Sequence, residues 1–73
     1  MIKDVTIAKA VSDLMLDISG KLNQSIADVM SSCPDDEAFA YRRAVANVMA
    51  QILLDVLNPL YSAHPEIKPP ELD

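Results

Sequence analysis

The sequence predicts an all-α protein, a two-helix antiparallel hairpin that assembles as a homodimeric four-helix bundle. Two long segments carry apolar residues at helical spacing, and one short segment rich in turn residues separates them. Hydrophobic residues make up 51% of the 73 residues, which is more than two helices can bury against each other. These observations favour helices whose apolar faces meet a second copy of the chain.

The small size of the chain leads to the same expectation. A chain of this length usually needs a disulfide, a metal or a partner chain to be stable. Cys33 is the single cysteine, so no disulfide can form within the chain, and one cysteine with one histidine cannot complete a four-ligand zinc site. We therefore expect no metal and no cofactor. Self-association is the remaining source of stability, with a homodimer favoured and a tetramer left open.

The first predicted helix covers about residues 4–31, with Asp4 as its N-cap. Asp17 and Lys21 have the spacing of an exposed ion pair on one helix. The apolar arc of this helix consists of Val11, Leu14, Met15, Ile18, Leu22, Ile26 and Val29. Polar residues occupy the opposite side, which is typical of an amphipathic helix.

The second predicted helix covers about residues 34–57. Pro34 suits its first turn, Ser32 or Cys33 can cap it, and the acids at 35–37 complement its dipole. Pro59 is expected to end or kink this helix, with room for an extra turn at 59–63. Its apolar arc consists of Tyr41, Val45, Val48, Met49, Ile52, Leu53, Val56 and Leu60. The arc spans about half of the circumference, so a single neighbouring helix cannot cover it.

Residues 1–64 therefore form the predicted hairpin, and residues 65–73 form a predicted Pro-rich, extended tail that contributes little to folding. No uninterrupted run reaches about 18 apolar residues, so no membrane span is expected. The start of the chain does not resemble a secretory signal, and a lone cysteine fits a reducing compartment. We expect a cytoplasmic protein.

Arg42 interrupts the apolar arc of the second helix. The sequence allows three explanations: a salt bridge across a subunit interface, a rim residue whose guanidinium reaches water, or a residue that binds a ligand or partner. Asp28 of the same chain and Asp4 of a second copy are the expected carboxylates, with the second copy favoured. The predicted interface comprises Val11, Met15, Ile18, Leu22, Ile26, Val29, Arg42, Val45, Met49, Ile52, Leu53, Val56 and Leu60.

Residues that could carry chemistry have simpler explanations. Cys33 lies near a helix start, but three acids follow it, whereas reactive cysteines need positive surroundings. His64 and Glu66 lie in the tail and offer too few ligands for a metal site. The acids at 35–37 are accounted for by the helix dipole. No catalytic pattern is present, so we expect that the protein is not an enzyme.

The favoured function is therefore a small, non-enzymatic interaction or structural protein that acts as a homodimeric bundle and binds another protein. At the level of fold, this architecture resembles the dimer of helical hairpins of the plasmid regulator ROP, without a shared motif. The resemblance implies an alternative, a small nucleic-acid-binding regulator. The net charge of −5 disfavours it. It would require one face of the dimer to gather Lys3, Lys9, Lys21, Arg42, Arg43 and Lys68.

Overall fold

The computed structural model describes residues 1–72 and shows a hairpin of two helical arms, with no strand in that part of the chain. The first arm is a single helix, and the second arm is continuous from residue 35 to residue 63. The elements are α1 (Val5–Ser32), α2 (Asp35–Gln51), a π-helical segment (Ile52–Leu57), α3 (Asn58–Ala63) and two 3₁₀ turns (Pro65–Ile67 and Pro70–Leu72). The predicted all-α, two-helix architecture is confirmed for the single chain.

Helix α1 begins where the sequence predicts. Asp4 Oδ1 accepts hydrogen bonds from the backbone N–H groups of Thr6, at 2.8 Å, and Ile7, at 3.1 Å. These bonds satisfy two of the free donors at the helix start, which confirms Asp4 as the N-cap. The Asp17–Lys21 pair also forms, with Nζ 3.1 Å from Oδ2.

The turn between the arms differs in detail from the prediction. Ser32 is the last residue of α1, and Cys33 follows it with its N–H bonded to Val29 O at 2.9 Å. Pro34 occupies the N-cap position of α2 rather than its first turn, and no side chain caps this helix. The three acids at 35–37 do lie in the first turn, where they complement the dipole.

The second arm is longer than the predicted helix at 34–57. It continues through Pro59 to Ala63, so that the expected extra turn is part of one uninterrupted arm. The second arm can continue through Pro59 because a π-helical segment precedes the proline. A proline ring in a regular α-helix collides with the carbonyl four residues earlier.

In this arm the backbone widens ahead of Pro59. The N–H of Asn58 bonds to Leu53 O, which lies five residues back, as in a π-helix. A wider turn changes the position of the carbonyl of Asp55, with which the proline ring would otherwise collide. The arm therefore absorbs the proline instead of ending there.

The tail is also not extended as predicted. Residues 65–67 and 70–72 each form a 3₁₀ turn, and the N–H of Ile67 bonds to His64 O at 3.1 Å. The half-buried His64 places Nε2 2.5 Å from the carbonyl oxygen of Ile2, which joins the end of the second arm to the start of the chain. Asp73, the last residue of the predicted tail, lies outside the described residues.

The core is a narrow seam between the two arms. The buried residues are Ala8, Ser12, Ala38, Val45, Leu57, Leu60 and Tyr61. Three of these seven are Ala or Ser, small residues that allow the helices to approach closely. The seam thus buries few large apolar side chains, and most of the apolar surface lies on either side of it.

Candidate interaction surfaces

Two tyrosine–serine hydrogen bonds join the arms within the seam. Tyr61 Oη lies 2.5 Å from Ser12 Oγ, and both side chains are buried. Tyr41 Oη lies 2.8 Å from Ser25 Oγ, and this pair is half-buried. Ser25 Oγ donates to the carbonyl of Leu22 at 2.6 Å, so Tyr41 is the donor to Ser25. These bonds hold the arms in one register, because sliding either arm would leave buried hydroxyls without partners.

The apolar surface left outside the seam is large. The exposed large hydrophobic residues are Met1, Val5, Ile7, Leu14, Met30, Phe39, Val48, Leu53 and Leu54, against four large residues in the core, Val45, Leu57, Leu60 and Tyr61. The chain exposes 5081 Å². A compact monomer of this mass exposes about 4,450 Å². The hairpin therefore exposes more surface than a compact monomer of its mass, and large hydrophobic residues contribute to that surface.

One part of this surface follows helix α1. Ile7, Val11, Leu14 and Ile18 succeed one another at intervals of four, three and four residues, which places them on one side of the helix. Ile7 is 52% exposed and Leu14 is 51% exposed, whereas Val11 and Ile18 are half-buried. A line of four aliphatic side chains at this spacing is typical of a helix–helix contact.

Val48 of the second arm extends this surface. Ser25 lies seven residues after Ile18 and so shares its side of α1, and Tyr41 reaches Ser25 from the second arm. Val48, seven residues after Tyr41, lies on the same side and is 48% exposed. We name Ile7, Val11, Leu14, Ile18 and Val48 the stripe face.

An open groove of about 530 Å³ lies on the other side of the seam. At about 100° per residue, Leu16 of its lining is about 160° from Ile18 of the stripe face. Both arms line the groove, with Leu16, Ser19, Asn23 and Ile26 from α1 and Arg42, Ala46, Met49, Ala50, Ile52, Leu53 and Leu57 from the second arm. The hairpin therefore presents apolar surface on both of its broad sides.

Among the described residues, Arg42 is the one charged residue that lines this groove. Its position on the apolar side of α2 agrees with the prediction, but its side chain is exposed and no carboxylate within residues 1–72 pairs with it. The expected pair with Asp28 of the same chain is wrong, because Asp28 instead accepts a bond from the amide of Gln24 at 3.1 Å. A pair with Asp4 of a second copy is untested, and it would require that copy to contact the groove.

The predicted interface residues divide among three surfaces. Val45 and Leu60 are buried in the seam by the chain's own arms, so we withdraw them from the interface with a second copy. Val11 and Ile18 belong to the stripe face, whereas Ile26, Arg42, Met49, Ile52 and Leu53 line the groove. The remaining members are half-buried, namely Met15, Leu22, Val29 and Val56.

Sequence reasoning missed Ser12, Ser25 and Tyr61, which make the interhelical hydrogen bonds. A signal was present, because Ala8, Ser12, Ser19 and Ile26 recur at the spacing of a helix–helix seam. The apolar arcs of the two predicted helices were defined mainly by large apolar side chains, so small and hydroxyl-bearing residues were assigned no role.

The residues with potential chemistry remain apart. Cys33 is exposed at the turn, and His64 Nδ1 lies 3.4 Å from Glu66 Oε1. Among residues 1–72, no three His, Cys, Asp or Glu side chains lie together in an arrangement that could hold a metal ion.

The second arm is long and apolar enough to cross a membrane by length and composition alone, as one helix of 29 residues, Asp35–Ala63. The sequence alone did not predict such a span, because the second helix was expected to end near residue 57 and no uninterrupted run of about 18 apolar residues is present. Four exposed polar residues, Asn47, Gln51, Asp55 and Asn58, recur along one side of the arm at three- and four-residue spacing. Such a polar side is typical of a helix that faces water on that side.

No protein-family model, curated protein or solved structure matches this chain. The stripe face and the groove are therefore the features from which a function can be proposed.

Proposed function

We propose that this protein is a non-enzymatic helical interaction module that forms a homodimeric four-helix bundle through its stripe face and binds another protein. The observation that carries the proposal is the exposure of Ile7 and Leu14, each more than half exposed within a line of apolar side chains. Fully burying one such side chain stabilises a complex by about 1.5–3 kcal/mol. A second copy is the partner always present when the chain itself is present.

The dimensions of the hairpin suit such a dimer. The molecule measures 45 × 20 × 16 Å, so its broad side is about 45 Å by 20 Å. Each partner of a standard protein interface contributes roughly 800 Å². The five side chains of the stripe face are all aliphatic, so two copies can pack them against each other.

The nucleic-acid alternative gains no specific support. Lys9 Nζ lies 2.9 Å from Asp13 Oδ1, and Lys21 is paired with Asp17. Each of these carboxylates offsets a positive charge that phosphate binding would use.

The proposal is tested by introducing a charge into the stripe face. Leu14→Asp places a carboxylate among four apolar neighbours, so the dimer is expected to dissociate at micromolar concentration. Leu54→Asp is the matched control, because Leu54 is 60% exposed and belongs to neither the stripe face nor the groove. Sedimentation equilibrium gives the mass of each variant, and circular dichroism checks its helicity.

Three results would contradict the proposal. The first is a folded Leu14→Asp variant that keeps the mass of the dimer. The second is dissociation caused by Leu53→Asp and not by Leu14→Asp, which would place the contact in the groove. The third is recovery of the unmodified chain from membranes only after addition of detergent.

A further inference from the structure

We infer that the groove binds an amphipathic helix of another protein, and that a carboxylate of this helix pairs with Arg42. The inference rests on the proposed function, of which it names the second partner. In a dimer formed through the stripe faces, the groove of each copy points away from the contact. Its occupant is therefore a different chain.

The shape of the groove suits a helix. Its walls are the two packed arms, and helices packed side by side leave a channel into which a third helix fits. Leu16 and Ile26 mark its length on α1, ten residues apart, which corresponds to about 15 Å along the axis. A partner helix contacts such a length with side chains at positions i, i+3 or i+4, and i+7.

The lining of the groove allows close approach. Ala46 and Ala50 lie one helical turn apart on the second arm, and both are exposed. Their small side chains leave space for the partner's larger ones, while Met49 and Leu53 provide apolar contact. A small amphiphile would stay largely in water in so open a groove, whereas small-molecule sites bury about 70–90% of the ligand.

Arg42 specifies the charge of the partner. The protein carries a net charge of −5, yet within residues 1–72 no acidic residue lines this groove and its single charge is positive. A helix that covers Arg42 takes its guanidinium partly out of water, which is unfavourable unless a carboxylate pairs with it. Guanidinium and carboxylate groups fit each other through two parallel hydrogen bonds. The partner helix is thus expected to carry Asp or Glu at one end of its apolar line.

The test uses the full chain and a designed helical peptide as the probe. The peptide carries Leu at positions i, i+3, i+7 and i+10 and one Glu in line with them, and two matched peptides carry Gln or Lys instead of Glu. Fluorescence anisotropy measures the binding of each labelled peptide. We expect the Glu peptide to bind about tenfold more tightly than the Gln peptide, and the Lys peptide to bind most weakly.

Protein variants complete a double-mutant cycle. Arg42→Gln should weaken binding of the Glu peptide about tenfold. It should leave binding of the Gln peptide almost unchanged, because that peptide has no carboxylate with which Arg42 could pair. Arg43→Gln is the control, since Arg43 is the next residue, is exposed, and lies outside the groove. Leu53→Asp should abolish binding of all three peptides.

The inference is overturned if the three peptides bind alike, if Arg43→Gln weakens binding as much as Arg42→Gln, or if Leu53→Asp has no effect. It is also overturned if dodecanoate binds the groove and the Glu peptide does not. The dimer is measured separately by its mass. A Leu14→Asp monomer that still binds the Glu peptide shows that binding in the groove does not depend on the stripe-face dimer.

Discussion

The end of the hairpin that holds the chain termini is packed more tightly than the end that holds the turn. Of the seven buried residues, five lie towards the termini, namely Ala8, Ser12, Leu57, Leu60 and Tyr61. Ala38 is the buried residue closest to the turn, where Met30 and Phe39 stay 39% and 54% exposed. Both ends use a tyrosine–serine bond, but only the bond at the termini is fully buried.

The π-helical segment explains much of this difference. A π-helical turn holds more residues than an α-helical turn, so side chains beyond it are rotated relative to a regular helix. Leu57, the last residue of the segment, is buried, and so are Leu60 and Tyr61 after it. The seam at this end is thus stabilised within one chain, whereas the stripe face, much of which runs along the outside of the same end, is left exposed. Substitutions in the seam and on the outer surface separate these two contributions.

The largest effect is expected from Leu60→Ala. Leu60 has no exposed surface, so its loss leaves a cavity and should cost about 2–5 kcal/mol of unfolding free energy. Leu54→Ala, at 60% exposure, should change stability by less than about 0.5 kcal/mol. Urea unfolding at one fixed protein concentration measures both variants, because the stability of an oligomer depends on concentration. Equal losses for the two leucines would contradict the packing described here.

Tyr61→Phe is expected to be the next most damaging change. It leaves the buried Ser12 hydroxyl without a partner, which costs about 1–3 kcal/mol. Tyr41→Phe should cost less, about 0.5–1 kcal/mol, because Ser25 keeps its bond to the carbonyl of Leu22. The double variant Ser12→Ala/Tyr61→Phe should recover part of the loss, since neither polar group remains. A larger loss of stability for Tyr41→Phe than for Tyr61→Phe would contradict the claim that the end with the chain termini is the more tightly packed one.

His64→Ala tests the contact between the second arm and the start of the chain. Loss of the bond to the Ile2 carbonyl should cost about 0.5–1.5 kcal/mol. Removal of residues 65–73 should lower the melting temperature by only a few degrees, because His64 is kept and none of residues 65–71 is buried. Thermal unfolding followed by circular dichroism compares the two. A much larger loss on truncation would mean that Ile67 contributes substantially to the packed end.

The smallest expected effect is a gain in stability. Gly20 lies within α1, and a Cβ added there would meet nothing within 4 Å. Gly20→Ala should therefore raise the unfolding free energy by about 0.5–1 kcal/mol through helix propensity alone. Destabilisation by this change, measured by urea unfolding, would indicate that the exposed side of α1 is covered in the assembled protein.

The sequence was sufficient to predict the two helices, since periodic apolar residues and the turn around Pro34 depend on local chemistry. It left open whether Pro59 ends or kinks the second helix, because the rule that proline interrupts a helix assumes regular α-helical hydrogen bonds. A wheel with a fixed angle per residue likewise loses its phase after residue 52, where the π-helical segment begins. Arg42 was placed on the correct side of its helix, but helical phase alone did not show that Asp28 bonds to Gln24 instead of Arg42.

The central claim is that the apolar surface outside the seam is covered by a second copy. Sedimentation equilibrium of the unaltered chain across micromolar concentrations, with helicity monitored on the same samples, tests it most directly. The account predicts a helical species of twice the 8.0 kDa chain mass that dissociates only on dilution. A fully helical species that stays at 8.0 kDa over the whole range would contradict it.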